Sequence, residues 1–421
     1  MSNEMEDAWQ LLAEGDVPGT VRALRFIAET TPVRELAEIT NSLARAVEFE
    51  DLATAAAAVG ADPSDSKALT ALGYECIERG ISFLAIPVLR EALRLEPESS
   101  MARAELVTAF EDEHRHGEAV EVLLAHESML RAWPERYLLV YNSILSGQLE
   151  RAETEFAKLP PPEDERWLFA RDRVAGMLTR GAAAGAVAPL DWNDLRGWHF
   201  TLTGGYLGTL SPYGFTAGMT GRWAYLGDNP ELCRYSLDRL ASILNAAGRQ
   251  PHSVSLLPGR SDRILGLAAA QLLGLPTRPY APESTDTLVV AYDLAELDQD
   301  LVRTLNQRAD GQILFEHATC WTRPPAVSAD ISGLLVQRIT APWEPGLRVD
   351  EQAPQADSRA EAEIAEEIVR ADGTPDTGDG ETPPDTDDSF TAFVAATRDT
   401  WLRGPRTPLN SPGPVGSSRF F

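Results

Sequence analysis

The chain has 421 residues, a formal net charge of −27 and 43% hydrophobic residues, which is enough for two or three domains with real cores. So large an acidic excess disfavours nucleic acid as a partner, because a phosphate backbone needs a basic face. The three cysteines, Cys76, Cys233 and Cys320, are far apart and favour a reducing compartment without a disulfide framework. No apolar run is long enough to span a membrane and the first residues are acidic, so we expect a cytoplasmic protein without a membrane partner.

Residues 1–180 carry a helical repeat spacing. Pro63 and Pro97 lie 34 residues apart, and small residues and leucines between them would let two antiparallel helices pack closely. These residues are Leu69, Leu72, Gly73, Ala85, Leu89 and Ala92. The unit resembles the tetratricopeptide repeat, which implies an α-solenoid (TPR-like) of about four or five degenerate repeats. A non-repetitive helical bundle is the alternative.

A solenoid of this kind exposes a concave face that binds peptides or partner proteins. The array could equally serve only to hold the next domain. The segment 181–228 that follows is rich in aromatic residues and glycine. Its rings fit either a binding surface or a buried seal between the solenoid and the next domain, and we favour the seal because large aromatics dominate buried interfaces.

Residues 229–348 alternate strands with helices, which predicts an α/β domain with a parallel sheet. The strand order and the stretch ILGLAAAQLLGLPTRPY resemble the phosphoribosyltransferase fold. Tyr292 stands where that family has its first acidic residue, so only Asp293 remains, and residues 294–297 replace its phosphate-binding loop of glycine and threonine. The resemblance therefore implies a catalytically degenerate domain; a generic small α/β domain is the alternative.

The turn before the helix of this stretch is a candidate anion site. Gly259, Arg260, Ser261 and Arg263 would surround a helix N-terminus, where phosphates and carboxylates bind. Asp293 would lie at the end of a neighbouring strand. The alternative is an ordinary helix cap with arginines paired to nearby acids. The sequence predicts no catalytic residue, no metal ligand and no cofactor.

The segment 349–388 is strongly acidic, and its composition predicts a disordered linker. The last segment, 389–421, carries Phe390, Phe393 and Trp401 at helical spacing. They predict a short amphipathic helix that binds a partner or docks onto the solenoid of its own chain. A basic tail follows.

The fold class expected is therefore multidomain, α followed by α/β, with a disordered acidic tail. The function expected is that of a non-enzymatic adaptor that binds protein partners through the repeat array and the C-terminal helix. The alternative is a nucleotide- or sugar-phosphate-binding protein, or a divergent phosphoribosyltransferase-like enzyme.

Overall fold

The computed structural model describes residues 3–345 and 356–417. The chain divides into two compact units, Met1–Arg171 and Asp172–Phe421. None of the helices in the described ranges has the length and apolarity needed to cross a bilayer. The predicted order, a helical part followed by a parallel sheet, is confirmed.

The first unit is helical. Its α-helices are α1 (Asn3–Ala13), α2 (Val17–Ile27), α3 (Val33–Ala46), α4 (Glu50–Ala61), α5 (Ser66–Glu78), α6 (Ser82–Leu95), α7 (Ser100–Asp112), α8 (His116–Ala125), α9 (Tyr137–Leu145) and α10 (Leu149–Ala157). Most helices pack against the next one along the chain, and the pairs α1 and α2, α3 and α4, α5 and α6, and α9 and α10 form helical hairpins.

Helices α5 and α6 pack as the small residues between them predict. A Cβ atom on Gly73 would lie 2.4 Å from Cγ of Leu89, so only glycine permits this approach. Asp65 caps α5 by accepting hydrogen bonds from the backbone of Lys67 and Ala68. Ser99 caps α7 in the same way, and these two caps fix where both helices begin.

The second unit combines helices with one sheet. Its helices are α11 (Leu168–Gly185, which begins in the first unit), α12 (Leu195–Thr203), α13 (Pro230–Ala246), α14 (Arg260–Leu273), α15 (Gln299–Leu305), α16 (Glu361–Arg370) and α17 (Asp387–Thr397). Its strands are β1 (Tyr206–Leu207), β2 (Trp223–Gly227), β3 (Ser253–Leu256), β4 (Thr277–Pro279), β5 (Thr287–Ala291), β6 (Ile313–Cys320) and β7 (Ile331–Thr340).

The seven strands form a parallel sheet in the order β1-β7-β6-β5-β3-β4, and β2 also pairs with β7. Val254 pairs with Leu288, and Val290 pairs with Phe315. Every residue of β5 is buried, as its continuous apolar sequence predicts for a central strand covered on both faces. The chain passes from β3 to β4 and then returns to β5 on the other side of β3, so a topological switch point lies between β3 and β5.

Aromatic residues of the segment 181–228 contribute to the core of the second unit itself. Phe200 and Tyr206 are fully buried and their rings stack with centroids 5.0 Å apart. Trp192 and Tyr225 in the same segment remain exposed.

The disorder expected for 349–388 is wrong for the described part of that segment, residues 356–388. Helix α16 packs against α14 and buries Ile364, Ala365 and Ile368. These residues form one apolar stripe while the glutamates face outward, so an acidic composition still yields an amphipathic helix. The rest of the predicted linker, 349–355, lies outside the described residues.

Candidate functional site

The predicted anion turn lies at the switch point of the sheet. Gly259 follows β3 and is the N-cap of α14, and Asp293 follows β5, which pairs with β3. The structure thus places the turn and the acid at the same carboxyl edge, where ligands of open α/β sheets bind.

The polar side chains of this turn bind other parts of the same chain. Arg260 donates hydrogen bonds to the carbonyl oxygens of Asp357 and Arg359, at 2.8 and 3.1 Å. Arg263 forms an ion pair of 2.7 Å with Glu361 of α16. Ser261 Oγ accepts a hydrogen bond of 2.9 Å from Trp343 Nε1. Arg260 and Arg263 thus contact the segment around α16, and Ser261 contacts Trp343.

Three acids surround the same edge. Asp262 Oδ1 accepts a hydrogen bond of 2.7 Å from the backbone N–H of Tyr292, and Glu316 Oε1 accepts one of 2.9 Å from Leu294. Burial raises the pKa of Asp262 and the pKa of Asp293 to about 6. Burial, followed by the charge of Asp293, raises the pKa of Glu316 well above its ordinary value. Negative charge at this edge opposes a phosphate.

A second cluster of buried side chains comes from four elements of the unit. Asp228 follows β2, Cys233 lies in the first turn of α13, Tyr292 follows β5, and His317 lies on β6. Asn229 caps α13 by accepting a hydrogen bond from the backbone of Leu232. This cap turns the chain so that Cys233 returns to Asp228.

One carboxylate oxygen is the centre of this cluster. Asp228 Oδ2 accepts hydrogen bonds from Tyr292 OH at 2.8 Å, His317 Nε2 at 3.0 Å and Cys233 Sγ at 3.1 Å. The other oxygen, Oδ1, accepts one of 2.8 Å from the backbone of Asn229. The side chains of Asp228 and His317 are completely buried, as is Cys233.

Burial and then the charge of Asp228 raise the pKa of the Cys233 thiol and that of the Tyr292 hydroxyl. Both groups therefore keep their protons and act as donors at neutral pH. Ligand atoms of Asp228, Cys233 and His317 lie within 4.8 Å of one another. Carboxylate, sulfur and imidazole are the atom types that bind zinc.

Sequence reasoning misses this cluster. Cys233 has no histidine near it along the chain, and His317 lies 89 residues after Asp228. The only local signal is Asp228 five residues before Cys233, at the start of a helix, a spacing too common to indicate a site.

In the first unit, helices α5 and α7 border a groove of about 600 Å³. Tyr74 and Met101 line it with 46% and 67% of their surface exposed. The charged residues of its lining are Lys67, Glu75, Glu96 and Glu105, so the groove is mainly acidic. Burial, with the charge of Glu78, raises the pKa of Glu105.

The aromatic residues assigned to partner binding lie in the core of the second unit. Phe390 is fully buried and Phe393 and Trp401 are nearly so. The ring of Phe393 meets Phe200 edge-on at 5.8 Å, and the ring of Trp401 lies 5.0 Å from Tyr206. These three side chains therefore pack against their own unit, and partner binding through them stays a prediction.

No protein-family model matches this chain, and no curated protein does so either.

Proposed function

We propose that the chain is a non-enzymatic adaptor whose helical unit, a tetratricopeptide-like array, binds a basic, partly apolar peptide segment of a partner protein. The groove between α5 and α7 is the proposed peptide-binding site. The observation that carries this proposal is the exposure of Tyr74 and Met101 beside the partly buried carboxyl of Glu105. Exposed aromatic and thioether side chains supply adaptable apolar contacts.

Charge decides the class of peptide. Three glutamates and one lysine line the groove, so it is complementary to a positive segment. Burial disfavours the charged form of Glu105. A lysine or arginine of the peptide that pairs with Glu105 should therefore contribute more binding free energy than the same ion pair at an exposed position. An acidic peptide would meet repulsion at the same place.

The alternative function, a nucleotide- or sugar-phosphate-binding protein or a divergent phosphoribosyltransferase-like enzyme, has less support. Arg260 and Arg263 are bound by residues of their own chain, and three acids stand at the edge where a phosphate would sit. In our proposal the α/β unit is a catalytically degenerate scaffold. A thermal-shift screen with phosphoribosyl pyrophosphate, nucleotides and Mg²⁺ should leave the melting temperature unchanged.

Fluorescence anisotropy of labelled peptides on the full-length chain tests the adaptor proposal. We expect a peptide that alternates arginine with leucine and phenylalanine to bind, and its charge-inverted counterpart not to bind. Tyr74→Ala and Met101→Ala should each weaken binding about tenfold, the usual loss for a binding anchor of about 1–2 kcal/mol. Added salt should weaken binding further.

Phe26→Ala is the matched control, because Phe26 is 86% exposed but lies on α2, away from the lining of the groove. Equal binding of the acidic and basic peptides, or equal effects of Tyr74→Ala and Phe26→Ala, would contradict the proposal.

A further inference from the structure

Two carboxylates of the second unit with lowered pKa values, the buried Asp330 and the half-buried Asp385, have arginine partners. Asp330 is paired with Arg308 and Arg406. Asp385 is paired with Arg196 and Arg239. Asp228 differs from both. Within residues 3–345 and 356–417, no arginine or lysine forms an ion pair with it, and its side-chain partners are a histidine, a cysteine and a tyrosine.

Among the described residues, His317 is the ion-pair partner of Asp228. Burial raises the pKa of that carboxyl, but the charge and hydrogen bond of His317 lower it by more and leave it below its ordinary value. The Nδ1 atom of His317 is buried and has no hydrogen-bond partner among the described residues. A doubly protonated ring would therefore leave one N–H without an acceptor, which costs free energy in the interior. Buried charges in proteins are paired or coordinate a metal.

We propose that Asp228, Cys233 and His317 bind a divalent transition metal ion, with zinc as the best match. Carboxylate, thiolate and imidazole together suit zinc. Three protein ligands are also the number found in zinc sites that keep a fourth position open. This site belongs to the α/β unit and is independent of the peptide groove.

The distances from Asp228 Oδ2 to the other two ligand atoms are slightly shorter than those between ligands of a tetrahedral zinc ion. Asp228 Oδ2 lies 3.0 Å from His317 Nε2 and 3.1 Å from Cys233 Sγ. Zinc–ligand bonds of about 2.0–2.3 Å in a tetrahedron place ligand atoms about 3.3–3.8 Å apart. Shifts of a few tenths of an ångström bring these two pairs to coordination distances, and the third pair, His317 Nε2 and Cys233 Sγ, lies within 4.8 Å.

The protons balance in a simple way. The ion replaces the thiol proton of Cys233, which leaves to solvent, and the imidazole proton moves from Nε2 to Nδ1 of His317. That N–H has no acceptor among the described residues, a cost that the three metal–ligand bonds must outweigh. Tyr292 and the backbone of Asn229 keep their hydrogen bonds to the Asp228 carboxylate. Such bonds orient ligating carboxylates in metal sites.

Elemental analysis and Co²⁺ titration of the full-length protein test the site. We expect about one zinc ion per purified chain, the stoichiometry of a single site. After chelation, Co²⁺ should restore one equivalent with a sulfur-to-cobalt charge-transfer band. Cys233→Ser should abolish that band, and His317→Gln should weaken Co²⁺ affinity at least tenfold. Cys320→Ser is the control, because Cys320 lies on the same strand as His317 but outside the cluster; it should keep both metal and band.

Less than stoichiometric metal together with no charge-transfer band in the wild-type protein would overturn the proposal. So would a band that survives Cys233→Ser. If circular dichroism shows that Cys233→Ser does not fold, the wild-type titration decides alone. If the protein binds no metal at this site, the peptide-binding result is unaffected, because the proposed peptide groove belongs to the first unit.

Discussion

At the scale of single residues, the second unit buries acids in two opposite ways. Burial alone would raise the pKa of Asp330, but the charges of Arg406 and Arg308 outweigh it and hold the pKa below its ordinary value. Asp262, Asp293 and Glu316 have no such partners within the described ranges, and their pKa values are raised. The first arrangement stabilises the fold at neutral pH and the second destabilises it.

Asp293→Asn should therefore make the protein more stable at pH 8. The pKa of Asp293 is raised to about 6 in the folded protein. Protonated Asp293 therefore favours the folded state at low pH, and this stabilisation is lost as the pH rises through about 6. Asn keeps the acceptor for the backbone of Ala295 and removes the charge. Because Asp293 is only partly buried, we expect a gain of about 1–2 kcal/mol at pH 8, and a smaller difference at pH 4.5.

Urea unfolding at the two pH values measures this gain. Asp300→Asn is the control, since the Asp300 side chain is 86% exposed and should change stability little. A variant that is less stable than wild type at pH 8 would refute the assignment of Asp293 as a destabilising charge.

Arg406→Ala should destabilise the second unit strongly. Arg406 donates to Asp330 Oδ2 at 2.7 Å and to the carbonyl of Leu305, and its loss leaves a buried carboxylate with one cation. We expect a loss of about 3 kcal/mol at neutral pH. The pKa of Asp330 is lower in the folded state than in the unfolded state. Ionised Asp330 therefore stabilises the fold above the unfolded pKa of about 4, and this stabilisation is lost as the pH falls through the pKa of the folded state.

Urea unfolding over a pH series should show that the loss shrinks in acid. Arg403→Ala, at an exposed position three residues earlier, should have almost no effect. Equal effects of the two variants would contradict a special role for the buried pair.

At the scale of elements, the sequence predicts the helices and strands that have a strong local pattern of apolar or small residues. The close approach of Gly73 to Leu89 follows from repeat spacing, and β5 follows from its continuous β-branched run. Helix α16 escapes prediction because its few apolar residues stand among acids, and composition alone resembles disorder. Its partners also lie far away: Glu361 meets Arg263 almost 100 residues earlier, a distance over which sequence patterns carry no information.

Helix α16 should be protected from hydrogen exchange. Its apolar stripe is buried against α14, and packed helices open less often than chain ends. Ile368→Ala should cost about 2–5 kcal/mol of stability, as for other buried isoleucines. Glu366→Ala, on the exposed side of the same helix, is the control. Exchange of residues 361–370 as fast as in an unfolded peptide would contradict this packing.

At the scale of the whole molecule, the order of a helical part and a parallel sheet follows from hydrophobic periodicity. The metal cluster does not, because its three ligands meet only when β2, α13 and β6 come together. Contacts between residues far apart in sequence also decide what the predicted anion turn binds. Gly259 and Asp293 are brought to one edge as adjacent strands require, but the segment that binds the arginines comes from a part of the chain that looked unstructured.

Removal of residues 350–421 should unfold the second unit. It would uncover the apolar core that Phe390, Phe393 and Trp401 complete. The apolar core cluster of the first unit draws only on residues 5–139, so its helical signal should persist. We expect loss of the near-ultraviolet circular dichroism of the second unit and retention of much of the far-ultraviolet helical signal. A truncated protein that keeps a native near-ultraviolet spectrum would show that this segment is dispensable.

The position of Trp401 and Arg406 in the core also has a consequence during synthesis. The contacts of the first unit are mostly between neighbouring helices, so it can fold soon after it emerges from the ribosome. The sheet cannot bury its core until residues near 400 have been made, on the order of 10 s after β3 at about 5–20 residues per second. During that interval its apolar strands are exposed, and exposed apolar strands are prone to aggregate.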